Sequence, residues 1–148
     1  MVIIVDNREQ TPWIFPPEQI VKAGTLQTGD YSIEGLTDLI CVERKSVQDL
    51  VGCIGKGRER FERELHRMRG YRFACVIVEG SLRKLSGGNW RGKITPTQLL
   101  GSVASWRIRY NVDFIYADNA ELGAQECERI LRKYRDYLRS FARRFKDV

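Results

Sequence analysis

A chain of 148 residues, 43% of them hydrophobic, can bury a real core within one domain, and none of its apolar runs approaches the roughly 20 residues that span a bilayer. Its net charge of +6 suits a polyanionic partner, because Lys and Arg neutralising phosphates dominate nucleic-acid affinity. The four cysteines (Cys41, Cys53, Cys75 and Cys127) form no CxxC pair and read as reduced core thiols, and with His66 the one histidine, His-based catalysis or zinc chemistry is poorly supported.

The chain opens on a strand, Val2 to Val5, without the basic lead of a signal peptide. The expected location is therefore the cytoplasm or nucleoid of a bacterial or viral source, or the nucleus of a eukaryotic one. Trp13 follows in a loop, Thr11-Pro12-Trp13, where it can clamp the loop to the core or stack on an unpaired base. Asp30 to Glu34 and Leu39 to Lys45 read as two strands, with Glu34-Gly35-Leu36-Thr37-Asp38 supplying the turn of a hairpin. Ser46-Val47-Gln48-Asp49 reads as a capping box at a helix start, with Ser46 as N-cap and Asp49 at N3.

Gly52, Gly55 and Gly57 then suggest a flexible loop that closes on a strand of substrate. The helix beyond it spaces Phe61, Leu65 and Met68 for one face and is crowded with Arg60, Arg63, Arg67, Arg69 and Arg72. Glu59, Glu62 and Glu64 interleave with those arginines as a solvated helix would arrange them. Lys56 and Arg58, with Arg60 and Arg63, are the candidate DNA contacts. Phe73 to Val78 is a continuous apolar run suited to a buried central strand.

Ser86-Gly87-Gly88-Asn89 lacks the lysine and the strand-to-helix setting of a phosphate loop, so no nucleotide cofactor is suggested, and Trp90 after it allows the same two readings as Trp13. Thr95-Pro96-Thr97-Gln98 marks a helix start with Pro at N1 and Gln at N3, leading through Leu99, Val103 and Trp106. Phe114-Ile115-Tyr116 is a short strand. The last helix opens near Asp118 or Asn119 and runs to about Phe145, with Ile130, Tyr134, Tyr137, Leu138, Phe141 and Phe145 on one stripe and arginines on the other faces. That stripe suits core packing or a dimer surface; Glu126, Glu128 and Asp136 weigh against a membrane-surface helix.

The chemistry lies in the hairpin. Folding it about Leu36 and Thr37 sets Asp30 opposite Glu43, and the period of two puts Glu43 and Lys45 on one face with Ile40, Val42 and Arg44 on the other. Opposed residues have Cβ atoms roughly 5 Å apart, so two carboxylates there repel unless a cation lies between them. Mg²⁺ suits the gap, since it is held by one or two carboxylates, several waters and substrate phosphate oxygens. Lys45 then orients an attacking water or offsets developing negative charge. The same residues also fit a plain surface hairpin whose Glu43–Lys45 ion pair is worth at most about 1 kcal/mol.

Gly29-Asp30, Val42-Glu43-Arg44-Lys45-Ser46 and Asp49-Leu50 together resemble the GD…ERKxxxD signature of the XPF-type structure-specific endonucleases of the restriction-endonuclease-like superfamily. Val5-Asp6-Asn7-Arg8-Glu9 resembles that family's DxRE element, and Gly57-Arg58 its glycine-arginine step before a helix. The likeness runs motif by motif from Val2 to Glu79 and more loosely, by order of elements, beyond. It implies an α/β fold with a mixed central sheet flanked by helices, and Mg²⁺ as cofactor with Mn²⁺ able to substitute. It further implies Asp30 and Glu43 as metal ligands, Lys45 as the catalytic lysine and Arg44 as a buried or phosphate-directed arginine. Asp6 and Glu9 match acidic positions lining the same pocket, and Arg8 an arginine that helps hold it. Asp49 fits either the acidic position of the motif or the helix cap, and the two roles are compatible.

The expected activity is metal-dependent hydrolysis of DNA near branches, flaps or single-strand junctions, in repair or recombination, and the resemblance implies a nick with a 5′-phosphate and a 3′-hydroxyl. The alternatives are a non-catalytic DNA-binding or scaffolding member of the family and a nuclease acting on RNA or plain single strands. One nuclease domain over residues 1–148 leaves no room for the helix-hairpin-helix module or the helicase domain of larger members. Homodimerisation, or an accessory DNA-binding protein, is expected to supply the missing grip.

Overall fold

The structure, a computed structural model, describes residues 1–146, so the last two positions of the expected domain lie outside the described residues. Six strands form one mixed sheet in the order β2-β1-β3-β4-β5-β6. They are β1 (Val2–Asp6), β2 (Ile20–Gly24), β3 (Tyr31–Ile33), β4 (Ile40–Ser46), β5 (Phe73–Glu79) and β6 (Asp113–Ala117). β3 runs antiparallel to both β1 and β4, while β2 on β1, and β5 and β6 beyond β4, pair in parallel. Five helices complete the described chain: α1 (Val47–Ile54), α2 (Arg58–Met68), α3 (Leu82–Ser86), α4 (Pro96–Tyr110) and α5 (Ala120–Phe145).

Strand alternation divides the core into two. Cys41, Ala74, Val76 and Val78 face a cluster with Leu50, Phe61, Leu65, Met68, Leu99, Val103 and Trp106 from α1, α2 and α4. Ile40, Val42, Cys75 and Ile77 face the other way, onto Trp13, Tyr31, Ala124, Cys127 and Leu131. β5 is apolar on both faces because helices cover both, which is why its sequence reads as an unbroken hydrophobic run. The four cysteines are buried and unpaired.

The helix caps follow the local chemistry. Ser46 caps α1 by accepting from the Asp49 N–H, and Thr95 and Gln98 form a reciprocal capping box on α4 with Pro96 in its first turn. Asn119 caps α5. β2 carries no comparable signal. It is an edge strand with four of its five residues exposed, so it has no alternation to read, and Lys22 pairs with Glu34 at 3.2 Å.

The glycine-punctuated segment is a tight joint between helices, which corrects the flexible loop expected there. Gly52 lies inside α1, and the Gly57 N–H bonds its carbonyl at 3.0 Å. A Cβ on Gly57 would sit 3.1 Å from that same oxygen, so a side chain there would crowd the joint. Both loop tryptophans are clamps. Trp13 is 5% exposed, stacked on Tyr31 at 4.7 Å, and Trp90 donates its indole N–H to the Ile94 carbonyl at 2.8 Å.

Candidate active site

The site forms at the carboxyl end of β4, where the antiparallel β3 and parallel β5 flank it. Tyr31 pairs with Val42, and the Asp30 N–H bonds the Val42 carbonyl at 2.9 Å, so Asp30 lies across from Glu43 as the hairpin geometry requires. The turn into β3 depends on Gly29. Its φ is +83°, and a Cβ there would lie 2.9 Å from the Cys41 Cβ, so no side chain fits. The Asp30 carboxylate is held by the Arg44 backbone N–H at 2.8 Å.

Glu43 is 5% exposed, and its carboxyl group meets those of Glu64 and Asp30. Burial, then the adjoining carboxyls of Glu64 and Asp30, push its pKa well above the ordinary 4.5. Lys45 projects from the same face of β4, with its Nζ 5.1 Å from the centre of the Phe61 ring. Burial works to lower the Lys45 pKa, but the carboxylates of Glu43, Glu64 and Asp30 help outweigh it and hold it above the ordinary value. The structure thus brings Asp30, Glu43 and Lys45 together, and adds Glu64, which the charge pattern alone assigns to a solvated face. A signal for it exists in the sequence: position 64 follows Phe61 by three residues and precedes Met68 by four, on the buried side of α2.

Arg44 points to the opposite face of β4. Its guanidinium bonds Glu79, the Thr11 carbonyl at 2.6 Å and Glu9 at 3.4 Å, and lies 5.0 Å from the Trp13 ring centre. Glu79, at the end of β5, also accepts from the Trp13 indole at 3.1 Å. Nothing in the local sequence marks Glu79 as Arg44's partner; the parallel pairing of β4 with β5 sets it there. Glu9 accepts from the Tyr31 hydroxyl at 2.9 Å, and its pKa is raised by burial and by Asp30, against the pull of Tyr31 and Arg44.

Some expected site residues serve other tasks. Asp6 does not open into the pocket: its buried carboxylate accepts from Arg8 Nε at 2.7 Å and from the Leu26 N–H at 2.9 Å, bracing the segment that leads to Asp30. Arg8 is the other half of that brace and also donates to the Leu26 carbonyl at 2.8 Å. Arg58 is drawn into the fold, bonding Ser102 at 2.7 Å and the Ile54 carbonyl at 3.2 Å over the Trp106 ring. Lys56, Arg60 and Arg63 are all exposed at the surface. Asp49 is exposed beside a cavity of about 310 Å³ that Glu9, Arg44, Ser46 and Glu79 also line. Its backbone N–H takes the Ser46 cap at 3.1 Å.

Comparison with known proteins bears on the family and the fold. Residues 5–127 match the model of the ERCC4 domain. The chain belongs to the ERCC4-domain family. Over 142 residues it is 31% identical to the 3′-flap repair endonuclease Xpf of Saccharolobus solfataricus, covering 89% of this chain and 55% of that protein. Over 81 residues it is 38% identical to the DNA repair endonuclease XPF of Cricetulus griseus, covering 52% of this chain and 8% of that protein. XPF from Aeropyrum pernix superposes with a TM-score of 0.72 at 24% identity, over 90% of this chain and 61% of the other. The same protein in complex with DNA gives 0.68 at 23% identity, over 91% of this chain and 65% of the other. These likenesses establish the restriction-endonuclease-like fold that the motifs implied. The ERCC4 domain here spans 55% of its archaeal curated relative and a far smaller part of the mammalian one.

Proposed function

We propose that this ERCC4 domain is an endonuclease that hydrolyses DNA phosphodiester bonds near branches, flaps or single-strand junctions with Mg²⁺ or Mn²⁺, in DNA repair or recombination. The observation that carries the reading is the buried Glu43 carboxyl group, set against those of Asp30 and Glu64. Carboxyl groups gathered in a buried setting ionise together only beside a cation. Asp30 and Glu43 fit a hard divalent ion that completes its shell with water and phosphate oxygens, and such an ion supplies Lewis-acid polarisation of the phosphoryl group.

The remaining work falls to the chain's own groups. Lys45, kept cationic by its carboxylate neighbours, orients the attacking water or offsets the charge that grows on the phosphoryl oxygens. The water oxygen forms the new bond to phosphorus and the P–O3′ bond breaks, giving a 5′-phosphate and a 3′-hydroxyl. Arg44 and Glu79 hold the strand ends so that Asp30 and Glu43 keep their register. Lys56, Arg60 and Arg63 supply positive charge on the adjoining joint and helix for the DNA backbone.

The curated relative named a 3′-flap repair endonuclease supports flaps as substrates, and the DNA complex of a structural neighbour supports DNA as the ligand. A homodimer, or an accessory DNA-binding protein, would widen the limited surface that the domain offers two duplex arms. No helix among the described residues is long and apolar enough to cross a membrane. The expected compartment is the cytoplasm, close to the nucleoid, or a eukaryotic nucleus.

The test is cleavage of labelled linear, flap, fork and four-way DNAs, with single-stranded DNA and RNA alongside, in Mg²⁺, Mn²⁺ or chelator. Cutting confined to junction-bearing DNA and lost in chelator is the expected outcome. Binding without cutting in every metal would favour a scaffolding role, and equal cutting of RNA or plain single strands would move the substrate class.

A further inference from the structure

We infer that Glu64 is a positioning residue of the cation site, holding water of the hydration shell of the ion taken up by Asp30 and Glu43; this rests on the nuclease reading above. Two contacts locate Glu64 without reference to its own charge. Three residues before it, Phe61 lies beneath Lys45, with 5.1 Å between Nζ and the ring centre. Three residues after it, Arg67 donates from Nε to the Thr28 hydroxyl at 3.1 Å, in the loop that delivers Asp30. Residues three apart share a helix face, so α2 crosses the site with Glu64 set between Lys45 on one side and the Asp30 loop on the other.

The group it approaches is Glu43, which is 5% exposed and whose carboxyl group meets those of both Glu64 and Asp30. A third carboxylate beside two others is costly unless cationic charge or water protons meet it. With Asp30 and Glu43 taking the ion, Glu64 acts at one remove, as an acceptor for the ion's water. Acceptors of this kind orient the ligands of a bound ion and tune its affinity. Lys45 shares the same carboxylate environment, so Glu64 also helps fix the ammonium beside the reacting phosphate.

The experiment is calorimetric titration of Mn²⁺ into the full chain and its Glu64→Gln and Glu59→Gln variants, with thermal melting of each. Glu59 is exposed on the same helix and carries the same charge change to solvent. Glu64→Gln is expected to weaken Mn²⁺ binding by about 10- to 100-fold while melting near the parent temperature, and Glu59→Gln to leave binding unchanged. Parent-like Mn²⁺ affinity in Glu64→Gln, or equal weakening in both variants, overturns the assignment. Should Glu64→Gln fail to melt cooperatively, Glu64→Asp takes its place: the shorter side chain with weaker binding supports the role, and unchanged binding removes it. An unmodified chain that takes up no Mn²⁺ would instead defeat the nuclease reading itself.

Discussion

Glu43 and Asp6 are both buried carboxylates, and their surroundings give them opposite characters. Glu43 is surrounded by other carboxyl groups, Asp6 by a guanidinium and backbone N–H groups. Asp30→Asn and Glu43→Gln are therefore expected to abolish Mn²⁺ uptake and cleavage while DNA binding persists, measured by calorimetry and by gel shift in chelator. Lys45→Ala should keep the ion and lose turnover by about 100-fold, as for a group that meets charge in the transition state. For Asp6, burial raises the pKa, but the Arg8 bond and the N–H groups of Leu26 and Arg8 outweigh it and hold the value below 3.8. A lowered folded-state pKa means that the unfolded chain binds the proton more readily, so the stabilisation is full above pH 3.8 and is lost as pH falls through the folded value. Asp6→Ala should cost about 2 to 3 kcal/mol in urea unfolding near neutral pH, with the difference from the parent shrinking in acid below that point.

At the scale of elements, the joint between α1 and α2 separates two basic residues that look alike in sequence. Lys56 is exposed between Gly55 and Gly57, whereas Arg58 ties the start of α2 to α4 through Ser102 and the Trp106 ring. Lys56→Ala is expected to reduce the salt slope of DNA binding by about 1 with no change in melting, since each phosphate contact contributes about 0.9. Arg58→Ala should instead cost about 2 kcal/mol of stability, from two hydrogen bonds and its packing on an indole. A reduced slope with unchanged melting in the Arg58 variant would return that residue to the DNA surface.

For the whole molecule, α5 changes character along its length. Gly123, Ala124, Cys127 and Leu131 in its first half are buried against the sheet, while Tyr137, Phe141 and Phe145 in its second half are 57%, 44% and 61% exposed. The three rings form a continuous row, with centroids 6.3 Å and then 5.0 Å apart, and arginines at its margins. Aromatic rows rimmed by Arg have the make-up of interface cores. Light scattering is expected to give about twice the 17.2 kDa chain mass at micromolar concentration, with Tyr137→Glu or Phe141→Glu shifting it toward monomer without unfolding. A monomeric parent chain would remove the dimer.

By itself the sequence determined whatever depends on neighbours along the chain. Hairpin register follows from turn position and alternation, so Asp30 facing Glu43 with Lys45 on the same side was legible, as were the caps at Ser46 and Thr95 and the two-faced burial of β5. Tertiary structure decided what depends on distant segments meeting. β2 exists because β1 offers a free parallel edge to a strand with no buried face of its own. Arg44 meets Glu79 because β4 and β5 run side by side, Asp6 meets Leu26 because the chain folds back over it, and Glu64 reaches Glu43 because α2 crosses the hairpin. A carboxylate's local pattern is the same beside a cation, a backbone amide or another carboxylate; only the packing of remote elements supplies the partner, and the partner sets its charge and its task.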